Sequence, residues 1–232
     1  RSCEDHIFVL SSIIRNRQAQ GLSTFVAFID MEKAFDCIIR DMLLYKLLQY
    51  DIVGLMYFAI KSLYSGTMAA IQLTCGQTSW FNTAFGVRQG DVLSPCLFNT
   101  FINELVLKLN ELGLGINAGA THICSLLYAD DLVLFSDDER KLQDMLTFME
   151  SWCNKWGLKI NLSKSNVVHF RRKRVPRTTH LFYLYGEELH IVNRYKYLGI
   201  IFDEFLDFTE NADVLASSGG RALGALINKF KS

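Results

Sequence analysis

The chain has 232 residues, with 24 basic and 24 acidic side chains, and half of its residues are hydrophobic. That length supports one good core, or one domain with part of another, and the hydrophobic content excludes a disordered chain. No stretch approaches the roughly 20 uninterrupted apolar residues of a membrane span, so no membrane partner is expected.

The opening Arg1-Ser2-Cys3-Glu4-Asp5-His6 lacks the apolar core of a signal peptide, and the missing initiating Met points to a piece of a longer protein. Apolar positions 10, 13 and 14 predict a helix over Phe8–Ile14. Thr24–Ile29 is a short apolar run ending on Asp30, read as a buried strand. Ile38–Leu48 is helical by period, with Asp36 placed to cap it. Met68–Leu73 and Ser79–Phe85 read as two strands about Gly76. Ser94-Pro95 opens a helix whose face is Leu97, Phe98, Phe101, Ile102, Leu105 and Leu109. Ile123–Tyr128 and Leu132–Phe135 flank Asp130-Asp131, the pattern of a β-hairpin with an acidic tip. Leu142, Met145, Leu146, Met149, Trp152 and Trp156 mark one face of a helix over Glu139–Trp156, stopped by Gly157. Strands follow at Asn166–Phe170, Leu181–Leu184 and Tyr197–Phe202. This order predicts an α+β, mixed fold: an antiparallel sheet with helices on one face.

The six cysteines form no Cys-x-x-Cys pair. They read as reduced, buried thiols of an intracellular protein rather than a zinc site. Net charge is zero, but it is segregated. Residues 164–177 hold Lys164, Arg171, Arg172, Lys173, Arg174 and Arg177 without an acid, and residues 130–139 hold five acids. The basic run is either a solvated loop or a duplex contact.

Two neighbouring carboxylates repel unless a cation sits between them. Oxygen-only ligands suit Mg²⁺. Asp30 at a strand end is a third candidate ligand, although such a residue is commonly a turn or cap. Val87-Arg88-Gln89-Gly90-Asp91 before a capped helix offers a close backbone approach and a ligand-binding amide.

Taken in order, Phe28-Ile29-Asp30-Met31-Glu32-Lys33-Ala34-Phe35-Asp36, Arg88-Gln89-Gly90-Asp91-Val92-Leu93-Ser94-Pro95, and Tyr128-Ala129-Asp130-Asp131 resemble the successive motifs of reverse transcriptases. Asn161-Leu162-Ser163-Lys164 and Lys196-Tyr197-Leu198-Gly199 resemble the next two. The match is closest to the LINE-type, non-LTR retrotransposon enzymes, and it spans nearly all of the chain.

The resemblance implies a right-hand polymerase: partial fingers at 1–24 and 38–92, palm at 25–37 and 93–199, and the start of a thumb at 200–232. It implies an RNA-directed DNA polymerase that binds an RNA template, a DNA primer and dNTPs. Asp30, Asp130 and Asp131 would hold two Mg²⁺ ions, with Mn²⁺ an acceptable substitute. Phe35 would be the steric gate against a 2′-hydroxyl, or else a core aromatic. Backbone amides of Glu32, Lys33, Ala34 and Phe35 would cradle the triphosphate, and Gln89 and Gly90 would pack on the incoming nucleotide. Lys164 would protonate pyrophosphate, or else is a surface lysine. Tyr197, Leu198 and Gly199 would form the primer grip, a hairpin that presses the primer end toward the metals. The alternatives are an RNA-dependent RNA polymerase, with Asp36 as its second acid, and a remnant that binds nucleic acid without chemistry. The family implies work in the nucleus or in a cytoplasmic ribonucleoprotein. Nothing in the motifs specifies an oligomeric state.

Overall fold

The computed structural model describes residues 2–119 and 121–231. Helix α1 (Cys3–Ala19) leads into strand β1 (Thr24–Asp30) and a short helical turn, α2 (Ala34–Cys37). Helices α3 (Arg40–Gln49) and α4 (Gly54–Tyr64) come next. Four two-residue strands follow: β2 (Met68–Ala69), β3 (Gln72–Leu73), β4 (Gly76–Gln77) and β5 (Phe81–Asn82). After helix α5 (Ser94–Glu111) come β6 (Ile116–Ala118), β7 (Thr121–Ile123), β8 (Ser125–Tyr128) and β9 (Asp131–Ser136). Helix α6 (Glu139–Trp156) precedes β10 (Asn166–Phe170). Two hairpins close the sheet region, β11 (Phe182–Leu184) with β12 (Glu187–Leu189) and β13 (Arg194–Tyr197) with β14 (Ile200–Asp203), and α7 (Thr209–Lys231) follows.

The centre is a four-stranded antiparallel sheet in the order β10-β1-β9-β8. Strand alternation sends successive side chains to opposite faces. Phe25, Ala27 and Ile29 of β1, with Leu132 and Leu134 of β9, join the core built with α5 and α6. Val26, Phe28, Val133 and Phe135 join a second core with Leu10, Ile13 and Ile14 of α1 and with Tyr197 and Phe202. The sheet is thus covered on both faces, one by the helix pair and the other by α1 and the β13–β14 hairpin. Because both faces are dry, β1 and β9 read as continuous apolar runs rather than alternating ones.

The clearest sequence signals form as read. Helix α6 starts on Asp138, whose carboxylate accepts from the Arg140 and Lys141 amides, and ends on Gly157 at φ 72°. Helix α3 is fastened to α5 and α6 by Lys46, fully buried, which pairs with Glu104 and lies 3.8 Å from the centre of the Trp156 ring.

Several readings change. Asp36 caps nothing: α3 begins at Arg40 after Ile39, and Asp36 sits inside α2. The run Tyr197–Phe202 is two strands, because Leu198 and Gly199 turn with φ 46° and 89°, the type I′ hairpin geometry. The 68–85 hairpin is broken into the pairs β2–β5 and β3–β4. Of the cysteines, Cys124 and Cys153 are buried, whereas Cys75 and Cys96 are exposed.

The basic run is largely drawn into the fold. Arg171 is buried and its guanidinium lies 3.2 Å from Glu204, which also pairs with Arg177. Arg172 donates to the carbonyls of Gln18 and Ala19 at the end of α1, where a cation suits the helix dipole. Lys173 and Arg174 are exposed.

Candidate active site

The three acids meet at one end of the central sheet. Asp30, the last residue of β1, pairs in register with Asp131, the first residue of β9. Directly opposed residues of an antiparallel pair sit about 5 Å apart at Cα with side chains on one face. Parity puts that face on the β13–β14 side, since Val26, Phe28, Val133 and Phe135 point there. Asp130 lies in the two-residue turn between β8 and β9. The turn forces Ala129 to φ 52°, a conformation L-residues adopt at some cost and that collects at functional sites.

Crowding is visible in Asp131. Its carboxyl is held above the usual carboxylate range, first by burial and then by the charges of Asp130 and Asp30. Burial and the same two charges, Asp131 and Asp30, push the Tyr195 phenol up to about 12. Tyr195 stacks on Phe28 at 4.4 Å, so the β13–β14 hairpin is held against the sheet beside the acids.

Beyond the end of β1 the chain is stitched to residues 159–165. The Asn161 amide donates to the Asp30 carbonyl at 2.8 Å, and the Glu32 amide to the Lys159 carbonyl at 2.8 Å. Ser165, buried, accepts from the Asp30 amide at 3.1 Å and donates to the Asn161 carbonyl at 2.8 Å. The Tyr195 hydroxyl donates to the Lys164 carbonyl at 3.1 Å. These bonds bring the Lys164 ammonium to 3.9 Å from the Asp30 carboxylate. The Glu32 amide is therefore already engaged, whereas the amides of Lys33, Ala34 and Phe35 make no hydrogen bond among the described residues. Lys33 turns there at φ 45°.

Two cavities flank the β8–β9 turn. One, of about 430 Å³, is lined by Asp30, Met31, Glu32, Lys33, Asp130, Asn161 and Lys164. The other, of about 480 Å³, is lined by residues that include Phe35, Pro95, Asn99, Tyr128 and Ala129. Phe35 stacks on Phe98 of α5, ring centres 4.6 Å apart, so its ring is both supported by the core and open to the second cavity. Gln89 donates to Asp36 at 2.8 Å. Gly90, at φ 85°, has open space around its Cα. Tyr197 is buried, with burial first and Asp131 next raising its phenol, and Leu198-Gly199 form the tip of the hairpin.

The acids, Lys164 and the 32–35 turn thus converge. Phe35 borders the neighbouring cavity, and Gln89 is tied to the turn through Asp36. The Tyr197–Gly199 tip belongs to the hairpin that covers the acids' face. Ser165 and Tyr195 were absent from the sequence reading. Their one visible signal is adjacency, Ser165 following Lys164 and Tyr195 standing two residues before Tyr197 on the same strand.

The donor set suits a hard divalent cation: oxygen atoms only, two carboxylates face to face, and a third beside them. Among the described residues no three His, Cys, Asp or Glu side chains are grouped to hold one ion. Mg²⁺ does not require such a cage, because it is bound through one or two carboxylates and completes its octahedron with water and substrate phosphates.

An antiparallel palm-like sheet with an acidic turn between two strands has the architecture of the right-hand polymerase fold, and comparison with known proteins narrows this. Solved telomerase structures from Candida tropicalis share the fold: one, of the apo enzyme truncated from its C-terminal domain, aligns with TM-score 0.61 over 88% of this chain and 39% of its own, at 15% identity. The model of the family described as Reverse transcriptase (RNA-dependent DNA polymerase) matches residues 1–202. The chain belongs to the reverse transcriptase family. Its relatives are enzymes of non-LTR retrotransposons. It is 28% identical over 205 residues, 85% of this chain, to the Pol polyprotein of the R2 element of Nasonia vitripennis. It is 30% identical over 202 residues, 82% of this chain, to the RNA-directed DNA polymerase of the jockey element of Drosophila funebris. The chain spans about a fifth of the length of these relatives.

Proposed function

We infer that this chain is the polymerising centre of an enzyme that copies RNA into DNA, extending a DNA primer with dNTPs. Residues 25–37 and 93–199 form its palm, 1–24 and 38–92 contribute finger elements, and 200–232 open the thumb. The observation that carries the reading is the register that sets Asp30 against Asp131, with Asp130 in the adjoining turn.

Asp30 and Asp130, which line one cavity, would be the principal ligands for two Mg²⁺ ions, with Asp131 adding negative field beside them. When bound, such ions lower the pKa of the primer 3′-hydroxyl and neutralise the leaving pyrophosphate. The protein's own residues position the reactants. The amides of Lys33, Ala34 and Phe35 point a nest of donors at the triphosphate. Lys164, held near Asp30 by the Tyr195 and Asn161 bonds, is placed to give a proton to pyrophosphate. Phe35, fixed by Phe98, blocks the space a 2′-hydroxyl would need. The β13–β14 tip presses the primer end toward the acids.

The test is dTTP incorporation on poly(rA)/oligo(dT) with Mg²⁺ by the protein expressed at full length. Primer extension is expected. Absence of extension on RNA template, with nucleic-acid binding intact, would instead support a binding remnant.

A further inference from the structure

Asp36 has lost the capping role its sequence position suggests, and its carboxylate is engaged elsewhere. The Gln89 side-chain amide donates to Asp36 Oδ1 at 2.8 Å. No other hydrogen bond fixes the Gln89 amide among the described residues. The segments around these two side chains are also joined through backbone. The Val87 amide donates to the Phe35 carbonyl and the Gly86 amide to the Ile38 carbonyl, each at 2.8 Å. Gly86 turns at φ 80°, and a Cβ there would come within 3.0 Å of the Asp36 Cα. Only glycine lets the two segments approach this closely.

We propose that Asp36 is a positioning residue: by holding the Gln89 amide, it locks the nucleotide-facing side chain and the Phe35 turn into one unit. The chemistry of the pair sets the orientation. A carboxylate only accepts, so it holds the Nε2 end of Gln89, and the Oε1 end is turned away from it. Without Asp36 the amide would sample both flips and other rotamers, and nucleotide binding would have to select one. Phe35 and Gln89 lie 54 residues apart in sequence, and this bond with its two backbone companions makes them a single surface. The inference rests on the polymerase reading of Gln89 and adds a residue which that reading leaves without a role.

The experiment is steady-state dTTP incorporation on poly(rA)/oligo(dT) by the full-length protein and its Asp36→Ala, Asp36→Asn and Asp130→Asn variants, with matching thermal unfolding. Asp36→Ala is expected to raise KM for dTTP about tenfold, the worth of one charge-assisted hydrogen bond at an exposed site, with kcat within about twofold. Asp36→Asn, whose carboxamide oxygen can still accept from Gln89, is expected to recover at least half of that loss on a logarithmic scale. Unchanged KM in Asp36→Ala, a fall confined to kcat, or Asp36→Asn as impaired as Asp36→Ala would overturn the positioning role alone. Asp130→Asn as active as wild type, or an inactive wild type, would overturn the polymerase reading and this inference with it.

Discussion

Asp30 and Asp131 face each other across adjacent antiparallel strands, the last residue of β1 against the first of β9. Burial first, and then the charges of Asp130 and Asp30, make the Asp131 carboxyl hold its proton more tightly than a free aspartate, so an ionised Asp131 is costly while no cation sits beside it. Its folded pKa lies above the unfolded one, so its contribution to stability is present below about pH 4 and is lost as pH rises through the folded pKa. Asp131→Asn is therefore expected to melt higher than wild type at pH 7 without metal. The difference should vanish below pH 4, and Mg²⁺ should stabilise wild type more than the variant. Equal melting temperatures at pH 7 would remove the repulsion argument.

Phe35 makes a second test. Its ring is stacked on Phe98 and borders the cavity beside the β8–β9 turn. Phe35→Ala should reduce discrimination against ribonucleotides by about 10- to 100-fold, the range for loss of one steric contact in a pocket. Single-nucleotide incorporation with UTP and dTTP in parallel measures this. Unaltered discrimination would leave Phe35 as a core aromatic.

His169 gives a pH dependence far from the acids. It is buried, stacks on Phe25 and accepts from the Thr178 amide at 3.1 Å. Burial, and then the nearby Arg171 charge, lower its pKa to about 4. A histidine depressed in the folded state contributes stability above its unfolded pKa, near 6.5, and that stability is lost as pH falls toward 4. Urea unfolding should show a loss of about 2–3 kcal/mol between pH 6.5 and 4. His169→Gln should flatten that part of the profile, and a variant with the wild-type slope would contradict the assignment.

Glu204 and its arginines separate the two readings of the basic run. Arg171 is buried against Glu204, so Glu204→Ala should cost about 3 kcal/mol by leaving a buried charge short of its partner. Arg171→Ala should leave the salt dependence of RNA–DNA duplex binding unchanged. A slope reduced by about one would show Arg171 on a phosphate.

The central sheet and its two long helices were legible because they carry strong sequence patterns. Helices α5 and α6 announce themselves by period, and β1 and β9 by apolar runs that end or begin on an acid. Helix α4 escaped notice because Leu55, Met56 and Phe58 are exposed, so its hydrophobic positions trace no single face. The split of Tyr197–Phe202 is implied by the family's primer-grip hairpin but not by residue pattern, because Leu198 adopts a positive φ that leucine rarely takes. At the site, the order of motifs pointed to the acids, but their meeting depends on register, which spacing alone does not give. Ser165 and Tyr195 act through long-range bonds, and Asp36 looked like a cap because a helix followed it closely.

In the function proposed, nucleotide transfer depends on ions that Asp30 and Asp130 would hold together. The most direct test is the single-turnover rate of dTTP addition to a poly(rA)/oligo(dT) end for Asp30→Asn and Asp130→Asn, with duplex affinity and melting temperature measured alongside. A fall of about a thousandfold is expected in each variant, with affinity and fold retained. A rate for Asp130→Asn equal to that of the unmodified protein would contradict it.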